Sequence, residues 1–174
     1  LGDIVPLVDE NRIFVKVGLD LINEGKRMGL LAMKKVSGVE YQVIDSGKAS
    51  FSLIPRINAA GRIASANDAV ELLLSENQDH AEELALRLDG FNRKRQVIEK
   101  VILQELIEKL GDSCDPVKAA PLVFASPDWH PGVIGIVASR LVDRFGRPAI
   151  LISLKDGIGK GSGRSIADFI STKD

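Results

Sequence analysis

The chain has 174 residues, and 23 Lys and Arg against 24 Asp and Glu leave a net charge of -1, so any contact with a polyanion must come from a local patch. Hydrophobic residues at 45% and aromatics at 5% describe a globular chain packed on aliphatic side chains. One cysteine, Cys114, excludes an internal disulfide and favours a reducing, cytoplasmic setting, and no apolar run approaches the roughly 20 residues that span a bilayer.

The opening L-G-D-I-V-P-L has no initiator Met and the closing F-I-S-T-K-D follows directly on a motif-rich stretch, which leads us to expect a fragment of a longer protein. Asp3 lies beside an apolar, strand-like run. A carboxylate there reads most simply as a turn or cap. With no neighbouring D-x-D or His pair it does not build a divalent-ion site alone. Residues 10 to 37 are predicted helical, with Ile13, Val17 and Leu21 on one face. The segment F-S-L-I-P-R-I-N-A-A-G-R-I then sets Arg56, Asn58 and Arg62 among small residues on a Pro-interrupted backbone. Two arginines and an amide suit a phosphodiester backbone, and a helix-end salt-bridge network is the competing reading.

A short helix follows, with Ser65 or Asn67 as its cap. A long helical pattern runs from about His80 to Leu110, its Leu84, Leu88, Phe91, Ile98, Ile102 and Leu106 recurring at three- and four-residue steps. The consecutive Arg93, Lys94 and Arg95 fan around that helix and read as a solvated face. After G-D-S-C-D-P, with a domain boundary expected near residues 111 to 118, the pattern becomes strand, helix, strand. A-P-L-V-F-A-S leads to a helix ended by Gly146, then to R-P-A-I-L-I-S-L, a βαβ unit with a parallel pair. Between the first strand and that helix stands D-W-H-P-G, with Trp129 and His130 at a strand end where ligands of α/β units collect and helix N-termini favour anions.

The second strand runs into G-I-G-K-G-S-G-R-S, residues 157–165, where glycine alternates with Lys160, Ser162 and Arg164. Neither the P-loop nor the dinucleotide G-x-G-x-x-G spacing is met. A ligand-free glycine-rich hairpin and a phosphate cradle are both compatible with these nine residues, and the position of the stretch next to the His130 loop favours phosphate. A nucleophile elbow is absent, and one Cys with two separated His does not make a zinc site. The fold class expected is α/β, a helical segment and long connecting helix followed by a small βαβ-containing domain.

These motifs, in order, resemble the RecJ single-strand-specific 5′ to 3′ exonuclease family of the DHH phosphoesterase superfamily: G-D-I-V-P-L-V-D-E-N-R, P-R-I-N-A-A-G-R, L-D-G-F-N-R-K-R, W-H-P-G-V-I-G-I-V-A-S-R and G-K-G-S-G-R-S. The resemblance implies that residues 1–76 are the end of the catalytic DHH domain, 77–112 the connecting helix and 113–174 an incomplete DHH-associated, substrate-binding domain. It implies that Asp3 matches a ligand of Mn²⁺ or Mg²⁺, the other ligands lying outside this chain, which should then be inactive alone. It further implies that Ser162 and Arg164 hold a 5′ phosphate, with Lys160 beside them. His130 would face the scissile region, Arg56, Asn58 and Arg62 would lie near the DNA backbone, and Trp129 is the best stacking candidate. Single-stranded DNA with a 5′ phosphate is the implied substrate, and a single-strand-binding protein and a recombination helicase are implied partners. Two alternatives stay open, a DHH phosphoesterase acting on short oligoribonucleotides or small nucleotides, and a non-catalytic homologue serving as a replication scaffold.

Overall fold

The computed structural model describes residues 1–2, 5–111 and 120–166, so Asp3, Cys114 and most of the expected boundary segment lie outside the described residues. Among the described residues the fold is mostly helical with a small mixed sheet of three strands, in agreement with the α/β expectation. The chain forms two compact units, Leu1–Lys94 and Arg95–Asp174, and helix α6 (Gln78–Leu110) runs through the division. No helix among the described residues is long and apolar enough to cross a membrane.

The first unit is helical. The expected helix of residues 10–37 is two helices, α1 (Asp9–Glu24) and α2 (Met28–Val36), because Gly25 adopts the left-handed conformation (φ 68°) that ends a helix and Arg27 is extended. Its buried side also differs from the expected one. Ile13, Val17 and Leu21 are 61%, 49% and 54% exposed, whereas Leu19 and Ile22 pack against the core. The Pro-containing segment is helical almost throughout. A short α3 (Ser46–Lys48) continues through a π-helical turn (Ala49–Leu53) into α4 (Ile54–Ile63), which carries Pro55 in its first turn. Pro55 has no N–H to give to the preceding turn, and the helix widens just before it, with Ile54 N–H donating to Ala49 O. Helix α5 (Asn67–Leu74) starts after Ala66, and the Ser65 hydroxyl accepts from Asn67 N–H at 3.3 Å, so of the two expected caps it is the serine that contributes.

The core of this unit gathers Met33, Ile44, Leu53 and Leu72 around Ala81, Leu84, Ala85 and Leu88 of α6. Helices α2 and α5 meet at backbone distance: a Cβ added to Gly29 would lie 1.8 Å from Leu72 O. Gly29→Ala must therefore push two helices apart, and urea unfolding should show a loss of about 2 to 3 kcal/mol, the usual cost of overpacking.

In the second unit, α6 buries Ile102 and Leu106, and β1 (Leu122–Ser126), α7 (Ile134–Phe145) and β2 (Ala149–Lys155) form the expected βαβ unit with β1 and β2 parallel. Ile134, Val137, Ala138 and Leu141 give α7 one buried stripe, and Gly146 (φ 60°) ends it as the sequence suggests. Strand β3 (Ile158–Arg164) pairs antiparallel with β2 at the sheet edge. The turn between them is Asp156-Gly157, both with positive φ (50° and 77°), the two-residue turn whose twist suits a hairpin.

Candidate nucleic-acid interface

The glycine stretch is thus a strand, and its period of two sorts its residues onto two faces. Gly159, Gly161 and Gly163 pair with Leu154, Ile152 and Ile150, and an added Cβ at Gly159 would lie 3.1 Å from Ile152 Cγ2. Lys160, Ser162 and Arg164 pair with Ser153, Leu151 and Ala149, the buried side of β2 against which α7 packs. The bare glycines and the cations therefore point in opposite directions. What the glycines provide is close packing over three β2 side chains rather than a cradle around the polar ones.

On the polar face, α7 comes close to β3. A Cβ on Gly135 would stand 2.9 Å from Ser162 Oγ and 3.3 Å from Arg164 Nη2, so only glycine in the first turn of α7 permits this approach. Arg164 donates from Nε to Ser139 Oγ (3.2 Å), and from Nη1 to Ser162 Oγ (3.3 Å) and to Gly163 O (2.7 Å). With Nε and Nη1 occupied, the side-on clamp that an arginine fork can offer is not presented. The guanidinium presents Nη2 beside the Ser162 hydroxyl. Neither Lys160 nor Arg164 forms an ion pair among the described residues, whereas Arg87, Arg93, Arg95 and Arg140 all do.

The D-W-H-P-G loop leads straight into this helix. His130 is half-buried, its Nδ1 accepts from Gly132 N–H at 3.1 Å and its carbonyl accepts from Val133 N–H and Ile134 N–H. An accepting Nδ1 places the proton of the neutral ring on Nε2, which is then the donor toward any ligand. Trp129, by contrast, is 3% exposed, and its indole donates to Glu105 Oε2 at 3.0 Å. A base-stacking platform needs an open ring face, so Trp129 acts here as a buried anchor. Its carbonyl accepts from Ser153 Oγ at 2.6 Å, which ties the His130 loop to the strand residue paired with Lys160. Open aromatic rings stand instead at Tyr41 and Phe51 of the first unit, 94% and 85% exposed.

Glu105 is held below the ordinary glutamate range first by its hydrogen bond from the Lys109 ammonium and then by the Trp129 indole. A depressed pKa means that the anchor stabilises the fold above the unfolded-state value and is lost as pH falls through the folded one. Because the chain has one tryptophan, its fluorescence reports this anchor directly. Acid titration should show a Trp129 transition centred below the ordinary glutamate range, and Glu105→Gln should abolish that transition.

The P-R-I-N-A-A-G-R residues are placed differently. Arg56, 17% exposed in its side chain, donates from Nε to Asp89 Oδ1 at 2.8 Å and from Nη1 to Ser52 O at 2.5 Å. Asp89, 4% exposed, is bound on its other oxygen by Arg93 Nη2 at 2.5 Å. This is the salt-bridge network that the sequence left as the competing reading for Arg56. Asn58 and Arg62, four residues apart on α4, are exposed on a common face. Gly2 lies against the start of that face, where an added Cβ would be 3.1 Å from Ile54 Cγ2 and 3.9 Å from Asn58 Nδ2. Arg95, expected to be solvated, is instead 14% exposed and bound to Glu99, which also takes Arg140.

Among the described residues no three of His, Cys, Asp or Glu converge to hold a metal ion. They do not build the Mn²⁺ or Mg²⁺ site implied by the resemblance, and Asp3 lies outside them. Gly135, Ser139, Ser153 and Asp89 also shape these surroundings, and no motif in the sequence singles out their roles. Only Asp89 carried a readable signal, its four-residue spacing to Arg93.

No protein-family model matches the chain. It is 43% identical over 171 residues to the single-stranded-DNA-specific exonuclease RecJ of Bacillus subtilis, a match covering 97% of this chain and 22% of that protein. The Escherichia coli RecJ is 42% identical over 171 residues, covering 95% and 30%. The crystal structure of RecJ in complex with Mn²⁺ from Thermus thermophilus superposes with a TM-score of 0.83 at 34% identity, covering 96% of this chain and 24% of that one. A crystal structure of exonuclease RecJ bound to manganese gives a TM-score of 0.76 at 36% identity, covering 96% and 40%. The chain spans between about a fifth and a third of the length of the curated relatives, 22% and 30% for these two.

Proposed function

We propose, for a chain that is RecJ-like along nearly its whole length, that it is the 5′-end-handling segment of a longer exonuclease specific for single-stranded DNA. The observation that carries the reading is Arg164, a guanidinium beside the first turn of α7 and Ser162 that has no carboxylate partner among the described residues. A helix N-terminus carries partial positive charge and unpaired N–H groups. A cation set against it is unfavourable until an anion lies between them, and a terminal phosphate supplies that anion. Lys160 on the same face adds a second cation with no ion pair among the described residues, and His130 Nε2–H offers a further donor at the entrance to α7.

Holding the 5′ end sets the direction of digestion, 5′ to 3′, because the bond cut lies a fixed reach from the held phosphate. Metal-assisted water attack belongs in this reading to residues outside the described ones. The segment alone binds and does not cut. By the same reading residues 1–76, 77–112 and 113–174 are catalytic-domain end, connecting helix and substrate-binding domain. The setting is cytoplasmic DNA maintenance, with single-strand-binding protein and a helicase as partners.

The test is digestion by the longer protein with Mn²⁺, offering 5′-phosphorylated single-stranded DNA, its 5′-hydroxyl form, duplex DNA and an RNA dinucleotide together. Shortening of the phosphorylated single strand from its 5′ end, ahead of the other three, is expected. Preference for the dinucleotide, or no turnover at all, would overturn it.

A further inference from the structure

We propose that Ser139, the serine of V-A-S-R in α7, is the positioning residue that fixes Arg164 for the terminal phosphate, an inference that rests on the 5′-end reading above. Arg164 is exposed on an edge strand, and a free arginine side chain there has rotamer freedom that binding would have to remove. Gly163 O and Ser162 Oγ hold only one of its three nitrogens, Nη1, and both lie on β3 itself. Rotation about the remaining bonds is stopped from a second element, by Ser139 Oγ accepting from Nε at 3.2 Å.

Ser139 is suited to this because its own proton is already committed. The hydroxyl donates to Gly135 O at 3.2 Å, one turn back along α7, which locks its rotamer and leaves only acceptor capacity toward Arg164. The two contacts are coupled. The carbonyl that orients Ser139 belongs to Gly135, whose missing side chain lets Arg164 Nη2 and Ser162 Oγ come close to the helix. Ser139 therefore aims the guanidinium with Nη2 toward the first turn of α7. An alanine there leaves Arg164 in place but able to swing into solvent.

The experiment compares dissociation constants of the chain for a 5′-phosphorylated and a 5′-hydroxyl oligothymidylate, in wild type, Ser139→Ala, Ser139→Thr and Arg164→Ala. The ratio of the two constants is the readout, since general loss of binding or of fold moves both alike. Arg164→Ala should abolish the ratio. Ser139→Ala should lower it about fivefold, the worth of roughly one hydrogen bond, and Ser139→Thr, which keeps the hydroxyl, should restore it. In parallel, the Arg164 Nε–H nuclear resonance should be protected from exchange in wild type and Ser139→Thr, and exposed in Ser139→Ala. A full ratio in Ser139→Ala, an unprotected Nε–H in wild type, or a loss not restored by threonine each overturns the positioning role while leaving the 5′-end reading standing. A wild-type ratio of one removes both.

Discussion

Arg164→Ala should weaken binding of 5′-phosphorylated single-stranded DNA about tenfold to a hundredfold and leave the 5′-hydroxyl form nearly unchanged. A hydrogen bond to a charged group contributes about 1.5 to 3 kcal/mol, and each 1.4 kcal/mol is about tenfold in affinity. The specificity arises because Arg164 has no carboxylate among the described residues to leave behind, so its removal costs the fold little. Arg164→Lys should recover only part of the loss. A lysine keeps the charge but cannot be held at two nitrogens by Ser139, Ser162 and Gly163 at once. Raising salt should shrink the wild-type preference, since the exposed site is screened. Equal losses for both DNA forms would mean that Arg164 is only one more backbone contact.

Asp89→Ala should destabilise the first unit by about 3 to 5 kcal/mol, the usual cost of removing one partner from a buried ion pair. Two arginines converge on this carboxylate, which is 4% exposed, and Arg56 is itself only 17% exposed. Without Asp89, Arg56 keeps a single acceptor, Ser52 O, for a largely desolvated guanidinium. Urea unfolding followed by helix circular dichroism checks the magnitude. The same measurement separates the two readings of Arg56. If it is structural, Arg56→Ala lowers stability in step with Asp89→Ala, and any loss of DNA binding follows from that. If unfolding midpoints barely move while DNA binding falls, Arg56 contacts DNA and the ion pair is incidental.

How much of this was legible depends on how local the cause is. Helices α6 and α7 were readable because their buried stripes repeat at the helical period and Gly146 ends α7. The alternation of glycine with Lys160, Ser162 and Arg164 suited a hairpin strand as well as a phosphate cradle, and it is the pairing with β2 that sets the three polar residues on one face. Other features depend on partners distant in sequence. Ile13, Val17 and Leu21 form as good a periodic face as Leu19 and Ile22 do, and only tertiary packing chooses between them. Trp129 could not be assigned inward or outward until Glu105, 24 residues earlier, was seen to accept from its indole. The pairing of Arg56 with Asp89 spans 33 residues, and that of Arg164 with Ser139 spans 25. Residue types suggested phosphate chemistry at both arginines, but only their partners separate the one that is neutralised from the one that is not.

The most direct test of the central claim is an amide nuclear magnetic resonance titration of the chain with 5′-phosphorylated oligothymidylate, using the 5′-hydroxyl form as the reference. Shifts at Gly135, Ser162, Gly163 and Arg164 are expected to appear with the phosphorylated strand and to be absent with the hydroxyl one. Identical shifts with both strands, or shifts confined to α4 around Asn58 and Arg62, would contradict it.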